Sequence, residues 1–306
     1  MRAVVYDTYS QDLSSLEVRE VPKPKVGPGT VLVKVKAAGV NPVDWKVMAG
    51  YLDPLMDAYF PVIPGWDVAG VVEAVGFDTP EFHVGDEVMA YARKDVVQGG
   101  TFAEYVVVPA KAVALKPAEL SWEQAGGLPL AGGTAQRALD TLGDLDGKTL
   151  LVHGAAGGVG SLAVQLGVAR GATVLGTASE KNFDFLRGLG AVPVAYGEGV
   201  VERVLEAAGG KVDAVADFVG EQLETTLAVL ADGGKHVSIA DGGVAEHGGR
   251  YVWVRPDGGE TARLGELAAS GALKVEVAQS FGLDQVAQAF ALSQSGHVRG
   301  KLVIVP

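Results

Sequence analysis

The sequence predicts a two-domain α/β protein, one domain an antiparallel β-barrel and the other a six-stranded, doubly wound parallel sheet. Three observations carry that prediction. The chain has 306 residues, beyond the size at which a single hydrophobic core usually stops growing. Up to about residue 118 it reads as short β-branched runs bounded by Gly and Pro. From about residue 119 it alternates strand, glycine and helix, the texture of parallel strands joined by helical crossovers.

In order, the first region offers strands at Arg2–Asp7, Thr30–Gly39, Asp67–Gly76, Gly85–Tyr91 and Thr101–Pro109, with alternation over Val31–Lys36. Pro22, Pro24 and Pro28 mark an irregular connection between the first two. The second region offers six strands: Lys148–Ala155, Ala172–Ala178, Val192–Tyr196, Val212–Gly220, Lys235–Ala240 and Arg250–Pro256. Helices are expected over Val159–Arg170, Asn182–Leu189 and Val200–Ala208. Six strands in this alternation are what a doubly wound dinucleotide fold requires. The last stretch returns to short strands around one helix, so residues 1–118 and 275–306 are expected to form one domain, with 119–274 inserted as the other.

Composition narrows the function. Hydrophobic residues make up 48% and charged residues 20%, as in a globular protein with a sizeable core. A net charge of −12 argues against nucleic acid or anionic membrane as the main partner, since phosphate neutralisation needs clustered Lys and Arg. There is no cysteine, hence no disulfide, thiolate nucleophile or Cys-ligated metal. The start, MRAVVYDTYS, lacks both an apolar leader and an Arg/Ser-rich amphipathic pattern. The expectation is a soluble, cytoplasmic protein.

The glycine-rich run LLVHGAAGGVG, ending at Gly160, follows a strand and opens a helix. In that context Gly157, Gly158, Val159 and Gly160 read as a dinucleotide site. Backbone N–H groups at a helix start, with the positive end of its dipole, hold a pyrophosphate that side chains would keep away. Gly157 allows the approach, and Gly160 lets the helix pack on the strand. Ala155 stands where the usual G-x-G-x-x-G has its first glycine. At the end of the second strand, Glu180 could serve as the acidic partner of an NAD ribose. Ser179 reads as the cap of the next helix, however, with Glu180 in its first turn. Ser179 and Lys181 then offer a hydroxyl and an ammonium suited to a 2′-phosphate, and NADPH is the expected cofactor; a surface cap and a solvated lysine are the alternative.

AAGVNPVD (37–44), PGWDVAGVVEAVG (64–76), VGDEVMAY (84–91), GGTFAEYVVVPA (99–110), AGGTAQRAL (131–139), HGAAGGVG and the terminal GKLVIVP come in an order that resembles the medium-chain dehydrogenase/reductases, most closely the zinc-free, zeta-crystallin-like quinone oxidoreductases. The resemblance implies a GroES-like catalytic domain joined to a Rossmann domain, with substrate and nicotinamide in the cleft between. Where the zinc-dependent branch has its catalytic Cys, His and Glu, this chain has Asn41, Trp66 and Asp67. No metal is expected.

Without a Lewis acid, the fitting substrates are electron-poor conjugated carbonyls, reduced by hydride while hydrogen-bond donors stabilise the developing oxyanion. Candidate donors are Asn41, Lys46 and Tyr51, with Asn41 facing the nicotinamide by resemblance. Some relatives carry tyrosines at the positions of Lys46 and Leu52, a pattern this chain departs from. Asp44 is expected to orient Asn41 or its loop. Trp45 and Trp66 line either a planar-substrate cleft or the core.

The resemblance also places Thr134 near the nicotinamide, Tyr196 near the adenosine phosphate, and Lys301, assisted by Arg299, at the pyrophosphate. Val219, Gly220, Ile239 and Ala240 fall at the carboxyl ends of strands, where this sheet type binds ligands. The sixth strand, with Trp253, would be an exposed apolar edge, and a homodimer through Val252–Val254 would cover it. A low-turnover NADPH-binding sensor or structural protein is the alternative to a quinone or enone reductase.

Overall fold

A computed structural model describes residues 1–306. Its strands are β1 (Arg2–Val5), β2 (Glu17–Glu20), β3 (Thr30–Val40), β4 (Asp67–Val75), β5 (Glu87–Tyr91), β6 (Tyr105–Pro109), β7 (Val113–Leu115), β8 (Thr149–His153), β9 (Thr173–Ala178), β10 (Val192–Ala195), β11 (Val212–Asp217), β12 (Leu230–Ser238), β13 (Arg250–Tyr251), β14 (Val277–Phe281) and β15 (Lys301–Ile304). The α-helices are α1 (Pro42–Met48), α2 (Trp122–Gly127), α3 (Pro129–Leu142), α4 (Gly158–Ala169), α5 (Phe183–Gly188), α6 (Val200–Ala208), α7 (Leu223–Val229), α8 (Gly258–Ala269) and α9 (Val286–Gln294). The chain divides into two compact units, Met1–Leu130 with Arg255–Pro306, and Ala131–Val254.

The discontinuous unit is the GroES-like one. Its main sheet runs β14-β15-β3-β4-β5-β7, with β6 also on β3. Every pairing is antiparallel except β14 with β15. β3 is the spine. Its alternating apolar side chains Val31, Val33 and Val35 are buried while Lys34 and Lys36 are exposed, as the period of a half-solvated strand dictates. Phe102 and Phe290 are fully buried and meet at a ring separation of 6.0 Å.

The continuous unit is a Rossmann-like sheet of six strands in the order β10-β9-β8-β11-β12-β13, and all neighbours are parallel. Leu151, Leu175, Val194, Val204, Val212, Val215 and Val229 form one of its buried clusters. Helix α6 has the expected ends because Gly199 and Gly209, both left-handed, bracket it.

Two expectations differ in detail from what is observed. The unit boundaries fall at 130/131 and 254/255, where 118/119 and 274/275 were expected. Helix α2 lies backbone to backbone on β3: a Cβ on Gly39 would come within 2.6 Å of the Gly126 carbonyl oxygen. Helix α8 packs in the same unit against β5 and β7. The sixth strand is also shorter than expected, β13 ending at Tyr251. Its neighbour β12 ends at Ser238, whose hydroxyl accepts the N–H groups of Ala240 and Asp241 and turns the chain out of the ladder.

Candidate active site

Within the Ala131–Val254 unit, β8 leads into Gly154 in the left-handed conformation (φ 70°) and then into α4. Gly157 is the N-cap, with no side-chain cap bond, and the Ser161 N–H is the first to reach back, to the Gly157 oxygen. The N–H groups of Gly158, Val159 and Gly160 therefore have no partner within the helix. A Cβ on Gly160 would lie 2.2 Å from the Gly154 oxygen and 2.8 Å from the Ala155 Cα. A Cβ on Gly157 would meet only the Gly154 oxygen, at 3.3 Å, so the space in front of this cap is open. These are the features a pyrophosphate requires. Ala155 fits the first-glycine position because it faces Gly176 of β9, where a Cβ would stand 2.7 Å from its own. Its N–H donates to the Thr177 oxygen, so Ala155 shapes the loop and offers no donor.

The carboxyl edge of this sheet carries a buried polar row that the sequence reading passed over. Asp217 ends β11 and accepts the Val219 and Gly220 N–H groups on one oxygen, each at 3.0 Å, and the Ser238 hydroxyl on the other at 2.8 Å. One carboxylate thereby fixes the loops after β11 and β12, which carry Val219, Gly220, Ile239 and Ala240. The signal was a polar residue, Asp217 and then Ser238, closing each of two successive strands directly after buried valine or alanine. His153, in register with Asp217, contacts the Thr177 hydroxyl at 3.3 Å, and burial pushes its imidazole down to about 4, so it is neutral near pH 7.

At the ends of β9 and β10, Ser179 caps a 3-10 turn over Glu180–Asn182 and accepts from the Asn182 amide at 3.3 Å. Glu180 and Lys181 are both exposed. Tyr196 is exposed, and the Arg203 guanidinium bonds the carbonyls of Ala195, Tyr196 and Gly197. Thr134 is buried in α3.

The other unit contains a buried ionic cluster. Asn41, Asp44, Asp67 and Lys301 are 2%, 2%, 0% and 5% exposed. Asn41 caps α1, and its N–H donates to Asp44 Oδ2 at 2.8 Å. Its Nδ2 donates to Asp67 Oδ2 at 2.9 Å, and its Oδ1 accepts from Lys301 Nζ at 2.6 Å. Asp67 Oδ1 accepts the Leu130 N–H at 2.8 Å, and Lys301 also donates to the Val40 oxygen at 3.1 Å. Burial raises Asp44 to about 8, opposed by the Asn41 N–H and reinforced by Asp67. Asp67 rises to about 6, burial outweighing the Lys301 ammonium. Burial lowers Lys301, opposed by the two carboxylates. Asp44 Oδ1 has no partner and belongs to a residue lining a small pocket of about 10 Å³ beside Trp66 and Gln98.

The expected anion-binding role of Lys301 needs correction. Its strand β15 pairs with β3, which buries the ammonium against Asn41 and Val40, so it is not free to hold a phosphate. Arg299 forms an ion pair with Glu276 at 3.0 Å. Lys46 lies 5.6 Å from the Trp45 ring, and Tyr51 is 58% exposed. The Trp45 indole donates to Ser293 at 3.2 Å, whereas Trp66 is buried beside Tyr91. No group of three or more His, Asp or Glu side chains is assembled that could hold a metal ion.

Residues 27–118 match the alcohol dehydrogenase GroES-like domain, and residues 189–304 match the zinc-binding dehydrogenase domain. Over 316 aligned residues, 37% are identical to 2-methylene-furan-3-one reductase of Solanum lycopersicum, covering 100% of this chain and 79% of that protein. The NADPH-dependent alkenal/one oxidoreductase of Arabidopsis thaliana, a chloroplastic protein, is also 37% identical, covering 100% of this chain and 80% of the relative. Among solved structures, the quinone oxidoreductase of Coxiella burnetii superposes with a TM-score of 0.89 at 33% identity, covering 100% and 99% of the two chains. Chloroplastic and mitochondrial names recur among the relatives. They overturn the cytoplasmic expectation, which rested on the lack of leader-like features in the first ten residues.

Proposed function

This chain belongs to the medium-chain dehydrogenase/reductases, in their quinone oxidoreductase branch, and from that premise we propose that it reduces a quinone or an α,β-unsaturated carbonyl with NADPH and without a metal ion. The observation that carries the proposal is the donor set around Asn41. At the three positions matched to zinc ligands stand an amide, an indole and a carboxylate; the amide is hydrogen-bonded to the carboxylate and to a lysine, whose ammonium lies 3.9 Å from the carboxylate. Such a set suits hydrogen-bond donation to an oxyanion better than metal ligation.

The open cap of α4 fits the coenzyme's pyrophosphate, with Gly157 giving access and Gly158, Val159 and Gly160 supplying N–H groups. Ser179 and Lys181 serve the 2′-phosphate, and Tyr196 the adenosine end. Thr134, Val219 and Ile239 serve the nicotinamide end, with Asp217 fixing the loop that carries Val219. When bound, the coenzyme supplies a hydride from its nicotinamide C4. The chain's own residues align the acceptor and stabilise charge on its oxygen, each donor contributing about 3 kcal/mol in sites of this kind. Asn41 is the first such donor, with Lys46 and Tyr51 as further ones.

Following NADPH oxidation against a panel of quinones and enones, with and without a chelator, tests this. Turnover that survives chelation and prefers NADPH to NADH is expected. Turnover abolished by chelation and restored by zinc would overturn it. We also propose a homodimer through the segment Val252–Val254, where Trp253 is 41% exposed beyond the end of β13.

A further inference from the structure

Four buried polar groups in one cluster are costly to assemble. Removing charged groups from water costs several kcal/mol per ion, so a purely apolar filling would serve stability as well or better. The value of the Asn41–Asp44–Asp67–Lys301 cluster must lie in what it holds still.

The hydrogen-bond inventory says what that is. An ammonium can only donate and a carboxylate can only accept. Lys301 Nζ, 2.6 Å from the Asn41 side chain, therefore fixes the amide oxygen on its side, and Asp67 Oδ2, at 2.9 Å, fixes the NH2 group on the other. The flip ambiguity of an amide is removed by its two neighbours. Asp44 holds the same residue's backbone N–H at 2.8 Å. Of the two Nδ2 protons, one goes to Asp67; the other has only the Gly39 oxygen at 3.4 Å, a weak contact. The cation at Oδ1 also draws electron density from the amide and strengthens its N–H as a donor.

The geometry points to Lys301, together with Asp67, as a positioning residue that locks and polarises the Asn41 carboxamide so that its second N–H is presented to the substrate oxygen. The inference rests on the proposed reductase activity for its kinetic consequence, but the locking itself is a property of the chain. It also gives Lys301 a role different from the pyrophosphate contact that the sequence led us to expect.

The sequence makes the lock directly observable. Asparagine occurs only at positions 41 and 182. In protein selectively labelled with 15N-asparagine, two side-chain amide pairs will appear, assigned by the loss of one in Asn182→Ala. The Asn41 pair should be well dispersed and slow to exchange with solvent. In Lys301→Met it should move toward the position of a free amide and exchange faster; a pair that stays put overturns the proposal.

In parallel, Lys301→Met should lower kcat about 100-fold, the effect of misplacing a reacting group by about 1 Å, while NADPH affinity changes less than about twofold. In an Asn41→Ala background the same substitution should cost nothing further, because Lys301 acts through Asn41. An undiminished cost in that background would mean that Lys301 acts independently, and would also refute the proposal. Should Lys301→Met fail to fold, Asp67→Asn/Lys301→Met removes both charges together, and the same two readouts apply. If the wild-type protein reduces no quinone or enone, the activity is wrong, and the amide spectra still decide the lock.

Discussion

Replacing Gly160 with alanine separates the architecture of the proposed nucleotide cradle from its chemistry. The added Cβ would lie 2.2 Å from the Gly154 oxygen, 2.8 Å from the Ala155 Cα and 2.8 Å from the Gly154 carbonyl carbon. All three are backbone atoms, so no rotamer change relieves the overlap, and the start of α4 must move away from β8 by about 1 Å to reach ordinary contact. Overpacking of this kind costs about 1–3 kcal/mol, and the rigid neighbours place it at about 3. At about 2–4 °C per kcal/mol for a domain of this size, the melting temperature should fall about 6–12 °C. The same displacement weakens two charge-assisted bonds from the helix start, together about 3 kcal/mol or more than about 100-fold in NADPH affinity. Gly157→Ala is the control. Its φ of −75° suits alanine and its Cβ meets only one atom, at 3.3 Å, so its melting temperature should stay near wild type while NADPH binding weakens. Thermal melts and fluorescence titration of NADPH read both effects. A Gly160→Ala protein that melts with wild type, or a Gly157→Ala protein that binds NADPH undiminished, would refute the reasoning.

Asp217→Asn cannot satisfy two N–H donors and a hydroxyl in the same way; we expect about 1–3 kcal/mol of destabilisation and a raised KM for NADPH, with kcat less affected. Burial raises Asp44 to about 8 in the folded chain, from 3.8 unfolded, so the folded state binds the extra proton and this residue's contribution is lost as pH rises from about 4 through 8. Asp44→Asn, which keeps an acceptor for the Asn41 N–H, should flatten part of that decline in melting temperature; an unchanged profile would count against a buried, protonated Asp44. Phe102→Ala, deleting a fully buried ring packed on Phe290, should cost about 3–5 kcal/mol in chemical denaturation. Trp253→Glu should shift sedimentation from dimer toward monomer, and a wild-type protein sedimenting as a monomer would dispose of the proposed interface.

What the sequence made legible was local. The six parallel strands and the glycine-led helix were readable because periodicity, turn residues and helix ends are written within a few neighbours, as Gly199 and Gly209 show around α6. Lys301 was not readable, because its burial depends on a β15–β3 pairing that places it against Asn41, 260 positions away. A lysine near a terminus reads as a solvent or ligand contact until that pairing is known. The unit boundaries were missed for a similar reason. Helix α2 belongs with β3 only through the close approach of Gly39 and Gly126. The short β13 reflects a chain reversal set by the Ser238 hydroxyl, a side-chain effect that strand propensity does not contain. Asp217 was passed over because a carboxylate at a strand end gains meaning only when two neighbouring loops bend toward it.

Strand β15 leaves the ribosome long after β3, the strand it pairs with. The Ala131–Val254 unit is contiguous and can fold as soon as it emerges, whereas its companion must wait with a gap in its sheet. Until then Asp44 and Asp67 have no buried counter-ion from Lys301, so the acidic half of the cluster stays open to water. Early termination before residue 301 would therefore leave a nascent chain with one finished half and one exposed strand edge, a natural client for chaperones.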